Sequence, residues 1–222
     1  MGTGFQFDWQ AAVDALPFLL QGIRYTLLIS FGGLAVGFVV GVAFGLLSLS
    51  PLRTLRWPAT LYVEVFRGTP VLVQVLFIFY GLPEVIGGPI DAITAAVAAI
   101  ALNSGAYISE IVRGGVESID RGQTEAGLSL GLSRTQTFVH VVWPQALRRM
   151  IPPLGNQAIV SIKDTSLFSV IGVGELVRQG QVYIATTFTA FEVYSMVALL
   201  YLGITLSLSA ALRYLERRGG PA

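Results

Sequence analysis

Long apolar stretches decide what this chain can fold into. Between Leu16 and Leu49 strongly polar side chains intervene only at Gln21 and Arg24, and further apolar runs follow at about 60–81, 92–112, 154–173 and 191–212. About 20 such residues cross the hydrocarbon core of a bilayer as a helix. In lipid a helix also satisfies its own backbone, which an open strand cannot do. The sequence therefore predicts an all-α polytopic membrane protein with five transmembrane helices, the first formed by the part of its run after Arg24. Composition agrees, since 54% of the 222 residues are hydrophobic and only 12% charged, against about a quarter charged in soluble domains. A formal net charge of +1 argues against a nucleic-acid partner. The absence of cysteine excludes a disulfide framework, a thiolate metal site and a cysteine nucleophile. No Lys or Arg precedes Arg24, so the first apolar segment is expected to stay in the mature protein. Residues 1–15, with Trp9, suit an interfacial lead-in.

Within the runs, local chemistry predicts how the helices pack. Gly33, Gly37, Gly41 and Gly45 recur at every fourth residue and form a ridge without side chains, which lets a second helix approach closely. Ala95, Ala96, Ala98 and Ala99 suit the same kind of contact. Pro70 is expected to kink or break the second crossing, Glu64 and Arg67 can pair one turn apart, and Pro152-Pro153 can open a new helix. No second-domain linker or internal repeat appears, so residues 1–222 read as a single transmembrane domain. Placing the C-terminus and the long polar interval in the cytoplasm puts Arg53, Arg56, Arg67, Arg113, Arg121, Arg134, Arg148, Arg149, Arg213, Arg217 and Arg218 there, and leaves Arg24 and Arg178 outside. That bias predicts an N-terminus outside and a C-terminus inside.

The polar interval runs from Asp120 to Pro144, DRGQTEAGLSLGLSRTQTFVHVVWP. Asp120 with Gln123 and Ser133 with Gln136 have the spacing of capping boxes, and between them lies one short helix, about 124–132. A free helix this brief is marginal in water, so a partner outside the chain is expected to hold it. Glu125-Ala126-Gly127, three residues, Gly131, nine residues, Val141, one residue, Trp143-Pro144 resembles the EAA signature of bacterial ABC importer permeases. Gly127, Val141 and Trp143 replace the usual Ala, Ile and Leu. Gly127 weakens the short helix by roughly 1 kcal/mol relative to Ala. VFRGTPVLVQ (65–74), Gly122-Gln123, PQALRRMIPPLGNQ (144–157) and KDTSL (163–167) are similar to the polar amino acid permeases, and together these blocks span about half the chain.

The resemblance implies a type I ABC importer permease architecture in the bacterial cytoplasmic (inner) membrane, with a coupling loop at about 113–149. It implies two permease subunits, alike or paralogous, a cytoplasmic ABC ATPase dimer that binds the ATP, and an extracytoplasmic binding protein that delivers an amino acid. Gln123, Glu125, Ala126, Gly127, Gly131 and Arg134 become the ATPase-coupling set, with Glu125 the charged anchor, Gly131 the turn and Arg134 a rim contact. The chain itself cannot be the ATPase, because a P-loop needs Gly-Lys-Ser/Thr and the single lysine, Lys163, follows Ile162.

Lys163 and Asp164 lie inside an apolar run, where each charge costs about 2.5–3.5 kcal/mol on insertion scales. The plainer reading is a structural ion pair or a lysine that snorkels outward; the functional one is a water-lined solute pocket near mid-membrane. The KDTSL resemblance favours the second and adds Thr165 and Ser166 to the substrate-binding candidates. Asn103, Tyr107 and Glu110 share one face of the third crossing, and in lipid that face must look inward. Asn103 and Tyr107 are further substrate-binding candidates, whereas Glu110 is expected to pair with Arg113 or another arginine. His140 is the single histidine and reads as a surface or packing residue, so neither a metal site nor a Ser/His intramembrane hydrolase is expected. The rival to an ATP-driven permease is a secondary transporter or channel that works without an ATPase. No cofactor is expected in this chain.

Overall fold

The computed structural model describes residues 7–218, with side chains to Tyr214. The first six residues of the lead-in and the side chains of Arg217 and Arg218 lie outside the described part. Among the described residues every regular element is helical.

Helix α1 (Trp9–Ser48) starts where the Asp8 carboxylate accepts the Ala11 amide. Its 40 residues reach about 60 Å at 1.5 Å per residue, twice the thickness of a bilayer core. Helix α5 (Ala92–Glu117), capped by Asp91 through the Ile93 and Thr94 amides, packs along α1. The predicted glycine ridge is the contact. A Cβ on Gly33 would lie 2.5 Å from Ile100, on Gly37 2.8 Å from the Ala101 carbonyl oxygen, on Gly41 2.7 Å from the Gly105 oxygen, and on Gly45 2.6 Å from Val112. No side chain fits at those distances, so the two backbones touch.

Helix α2 (Arg53–Gly68) and the segment Val71–Ile86 meet at an angle of 101°. The expected kink at Pro70 is a full right-angle break. The segment comprises α3 (Val71–Leu76), a π-helical turn (Phe77–Gly81) and α4 (Leu82–Ile86). Among the described residues three helices are long and apolar enough to cross a membrane, Trp9–Ser48, Ala92–Glu117 and the Ala190–Tyr214 part of α10 (Ala190–Arg218), and the bent pair makes a fourth if it counts as one span. The run at 154–173 is not one continuous α-helix.

After α5, Asp120 caps α6 (Arg121–Ser129) through the Gly122 amide at 2.7 Å. The cap starts this helix three residues earlier than the sequence suggested. It ends at Gly131, whose φ of +82° lies in the left-handed region that favours glycine. The Ser133–Gln136 capping box is reciprocal. At Asp120 it is not, because the Gln123 side chain accepts from Gln145 instead, at 3.1 Å.

Helix α7 (Arg134–Thr137) continues through a π-helical turn (Phe138–Val142) into α8 (Trp143–Asp164). Pro152 and Pro153 lie inside α8 and do not open a new helix. The carbonyls they release belong to Arg148 and Arg149, four residues back, and both residues are exposed. Water can serve those carbonyls, so the helix runs on. A 3-10 segment (Thr165–Ile171) ends at Gly172, φ +80°. Ile29, Val75, Ile100 and Phe168 then bury together where α1, α3, α5 and this segment meet.

Glu175 is fully buried and caps α9 (Leu176–Thr187) with both carboxylate oxygens, one accepting from Val177 at 2.9 Å and the other from Arg178 at 2.7 Å. The Tyr201 hydroxyl of α10 donates to it at 3.1 Å. Burial pushes its carboxyl up from 4.5 to about 7, against the opposing effect of those donors.

Two outcomes are expected. Gly41→Val, which cannot fit against Gly105 and Ile108, should destabilise the fold by about 1–3 kcal/mol, the usual range for overpacking, seen as a lower thermal midpoint in detergent. The raised Glu175 carboxyl contributes stability that is complete below its unfolded value of 4.5 and is lost as pH rises through about 7. Glu175→Gln should therefore flatten the fall in thermal midpoint between about pH 5 and about pH 8.

Candidate functional site

The break between α2 and α3 builds a polar part of the interior. Pro70 has no amide hydrogen, and the residue before a proline is driven to extended geometry; Thr69 adopts it, at φ −119° and ψ 143°. The last carbonyls of α2 thereby lose their helical partners. Two amide side chains replace them. Gln74 donates to the Phe66 carbonyl at 2.8 Å and to the Thr69 carbonyl at 3.0 Å, and Asn103 donates to the Phe66 carbonyl at 3.1 Å and to Gln74 Oε1 at 3.2 Å.

Beside this break lies a cavity of about 650 Å³ between the 67–71 corner, α5 and α8. Arg67, Thr69, Asn103, Tyr107, Gln157 and Asp164 supply its polar wall, together with Asn156. Gln157 and Ser161 of α8 tie this wall to α5 through Ser104: the Ser161 and Ser104 hydroxyls are 2.8 Å apart, and Gln157 donates to Ser104 at 3.4 Å. A guanidinium, a carboxylate and several amides thus face one volume. That set can match a carboxylate, an ammonium group and a polar side chain on one small solute.

Of the six residues singled out for the solute, the cavity brings together Asn103, Tyr107 and Asp164. Lys163 is exposed and lies off this wall. Neighbours in a helix are about 100° apart around its axis, so Lys163 and Asp164 cannot face the same way, and no ion pair within 4.0 Å involves Lys163 among the described residues. Thr165 is buried with its hydroxyl on the Ile162 carbonyl, and Ser166 donates to the Lys163 carbonyl. Arg67, Gln74, Asn156 and Gln157 were not singled out from the sequence. For Gln74, Asn156 and Gln157 the available signal was an amide side chain inside an apolar helical run, which in lipid must face inward.

Arg67 does not pair with Glu64. It reaches Glu110 Oε2 at 3.2 Å and lies over the Tyr107 ring at 5.1 Å. Arg113 grips both oxygens of Glu110, at 2.9 and 2.8 Å, and also meets Glu117 at 2.7 Å. These side chains border a second cavity of about 350 Å³, lined also by Ser48, Arg56 and Glu64.

A separate surface is formed by α6. Glu125, Gln123, Ala126 and Arg134 are exposed, as is Leu130 at 83%, and within α6 only Gly127 is buried, beneath Thr137. A Cβ at Gly127 would lie 2.6 Å from Thr137 Cγ2. Arg121, Thr124, Leu128, Arg134 and Phe138 line a cleft of about 440 Å³ beside it. His140 is exposed, with Nδ1 2.9 Å from the Gln136 carbonyl. Among the described residues no group of three His, Asp or Glu could hold a metal.

Residues 33–219 match the model of the binding-protein-dependent transport system inner membrane component family. The chain belongs to that family. It is 55% identical over 214 residues to the glutamine transport system permease protein GlnP of Escherichia coli (strain K12), covering 96% of this chain and 98% of that protein. It is also 35% identical to the arginine transport system permease protein ArtQ of Bacillus subtilis (strain 168), covering 95% and 96%. Among solved structures, a crystal structure of an amino acid ABC transporter with histidines superposes with a TM-score of 0.92 at 38% identity, over 96% of this chain and 100% of that one. The MetNI methionine ABC transporter shares the fold, with a TM-score of 0.78 at 20% identity, over 92% and 97%. As a member of this family, the chain is a transport component of the inner membrane.

Proposed function

We propose that this chain is the membrane-spanning subunit of an ATP-driven importer for polar amino acids, with the 650 Å³ cavity as its solute chamber. The observation that carries this reading is the placement of Arg67 and Asp164, with a row of amides, around one cavity at a helix break. A zwitterionic amino acid presents a carboxylate and an ammonium, which such a wall accepts as charge-assisted hydrogen bonds. The amides of Asn103, Asn156 and Gln157 suit a polar side chain, and L-glutamine, the solute named for a relative at 55% identity, is the first probe to use. Asn103, Tyr107 and Asp164 are the solute contacts in this proposal; Lys163, Thr165 and Ser166 shape the segment beside them.

Two copies, or this chain with a paralogue, surround the path and work with a cytoplasmic ATPase dimer and an extracytoplasmic binding protein. The chain crosses the membrane five times, N-terminus outside and C-terminus inside, as the distribution of arginines supports. The fourth crossing then consists of the end of α8 and the 3-10 segment. On this topology α6 faces the cytoplasm, and Gln123, Glu125, Ala126, Gly127, Gly131 and Arg134 form the contact with the ATPase. ATP-driven approach of the two ATPases draws the α6 helices together, and the rigid α1–α5 pair carries that motion to the chamber. A secondary transporter would have an inward polar wall too, but no need for an exposed helix of nine residues in water. Gradient-driven uptake by the chain alone in vesicles would favour that rival.

Asp164→Asn is expected to lower L-glutamine uptake by roughly ten- to a hundredfold, the effect of losing a charged hydrogen bond worth about 1.5–3 kcal/mol, while the subunits still co-purify. Unaltered uptake would move the solute site elsewhere. Glu125→Lys should release the ATPase and leave the permease folded; an ATPase that co-purifies in the same ratio as before counts against the docking role of α6.

A further inference from the structure

Among the described residues Arg67 is the one that lines both the 650 Å³ cavity and the 350 Å³ cavity beside it. It is fixed from two sides, by the Tyr107 ring at 5.1 Å and by Glu110 at 3.2 Å. Tyr107 belongs to the wall of the first cavity and Glu110 to that of the second, so the guanidinium stands in the boundary between them. Its hold is releasable. The pair with Glu110 is partly exposed, with 41% of the Arg67 side chain and 26% of the Glu110 side chain accessible, and contacts of that kind are weak.

Release would also leave no orphaned charge. Glu110 keeps both hydrogen bonds from Arg113, so Arg67 can move without abandoning an unpaired carboxylate. The planar guanidinium fork suits a carboxylate better than a compact ammonium does. Among the described residues it is also the one cationic side chain on the wall of the larger cavity.

We infer that Arg67 has two roles: held by Glu110 it closes the solute chamber toward the second cavity, and released from Glu110 it binds the carboxylate of the solute. This rests on the reading of the larger cavity as the solute chamber. Exchange of one carboxylate for another then ties occupancy of the chamber to opening of its floor. The second cavity, bordered by Ser48, Glu117 and Arg113, lies toward the end of α5 that leads into α6, so the exit points to the face that docks the ATPase.

The chain contains no cysteine, which permits a direct test on the complete nucleotide-free importer in vesicles. Val160→Cys places one thiol in the chamber wall at a residue with no polar contact to lose, and its reaction with a membrane-impermeant thiol reagent is followed from the α6 face, on this subunit alone. With Arg67 present, labelling is expected to be slow. Bound L-glutamine covers the thiol and should slow it further even with the floor open, and the amine that glutamine becomes on losing its α-carboxylate should not. Adding Arg67→Gln should speed labelling without solute about tenfold, the effect of losing one partly exposed ion pair and one cation–π contact. The same change should raise the L-glutamine concentration needed for half protection at least about tenfold. Arg67→Lys, which keeps the charge without the fork, should fall between, and co-purification of the ATPase checks assembly in each variant. Equal labelling and equal protection with Arg67 and with Arg67→Gln would overturn the inference and leave the chamber standing. Failure of L-glutamine to protect even with Arg67 present would instead remove the chamber, and the carboxylate role with it.

Discussion

Backbone contact between α1 and α5 is the constraint on which the rest of the molecule depends. Lipid offers no hydrophobic drive to press two helices together, so close packing must supply the attraction. Four glycines at four-residue spacing give α1 a bare groove, and Ile100, the 101–105 backbone, Ile108 and Val112 of α5 fill it in order. Thr26 and Ser30 continue the same buried line. Because the fit repeats over successive turns, α5 can neither rotate nor slide against α1 without driving a side chain into backbone. The opposite side of α5 is therefore fixed as well, and that side carries Asn103, Tyr107 and Glu110.

Against this rigid pair the α2–α3 corner is held by polar bonds. A right-angle break in a membrane protein exposes carbonyls that lipid cannot serve, and each would cost several kcal/mol unpaired. Gln74 and Asn103 answer that demand, one from each side of the corner. Tyr62 adds a further tie from α2 to α5 by donating to the Leu102 carbonyl at 2.7 Å. The corner thus keeps its shape and leaves room beside it, and the cavity is the space that two perpendicular helices cannot fill.

Much of this was legible in the sequence where one helix period settles the matter. The glycine ridge, the inward face of α5, the Ser133–Gln136 capping box and the Glu110–Arg113 pair all follow from residues three or four apart. Relations between distant segments were less accessible. Pro70 announces a break, but its 101° angle depends on Gln74 and Asn103 satisfying the carbonyls it frees. Gln123 has the capping-box spacing from Asp120, but its side chain accepts from Gln145, 22 residues later. Lys163 and Asp164 drew attention as a pair because they are adjacent in the chain, whereas a helix turns adjacent residues apart. Arg67 has a carboxylate three residues before it at Glu64, yet its partner lies 43 residues away.

The contact between Gly127 and Thr137 reaches beyond this one molecule. The buried Thr137 hydroxyl has no hydrogen-bond partner among the described residues, and its methyl occupies the space that a methyl on residue 127 would need. The two positions share a single allotment of volume. In chains that carry alanine at the site matching Gly127, the site matching Thr137 must shrink or turn away, so substitutions at the two should be correlated across aligned sequences.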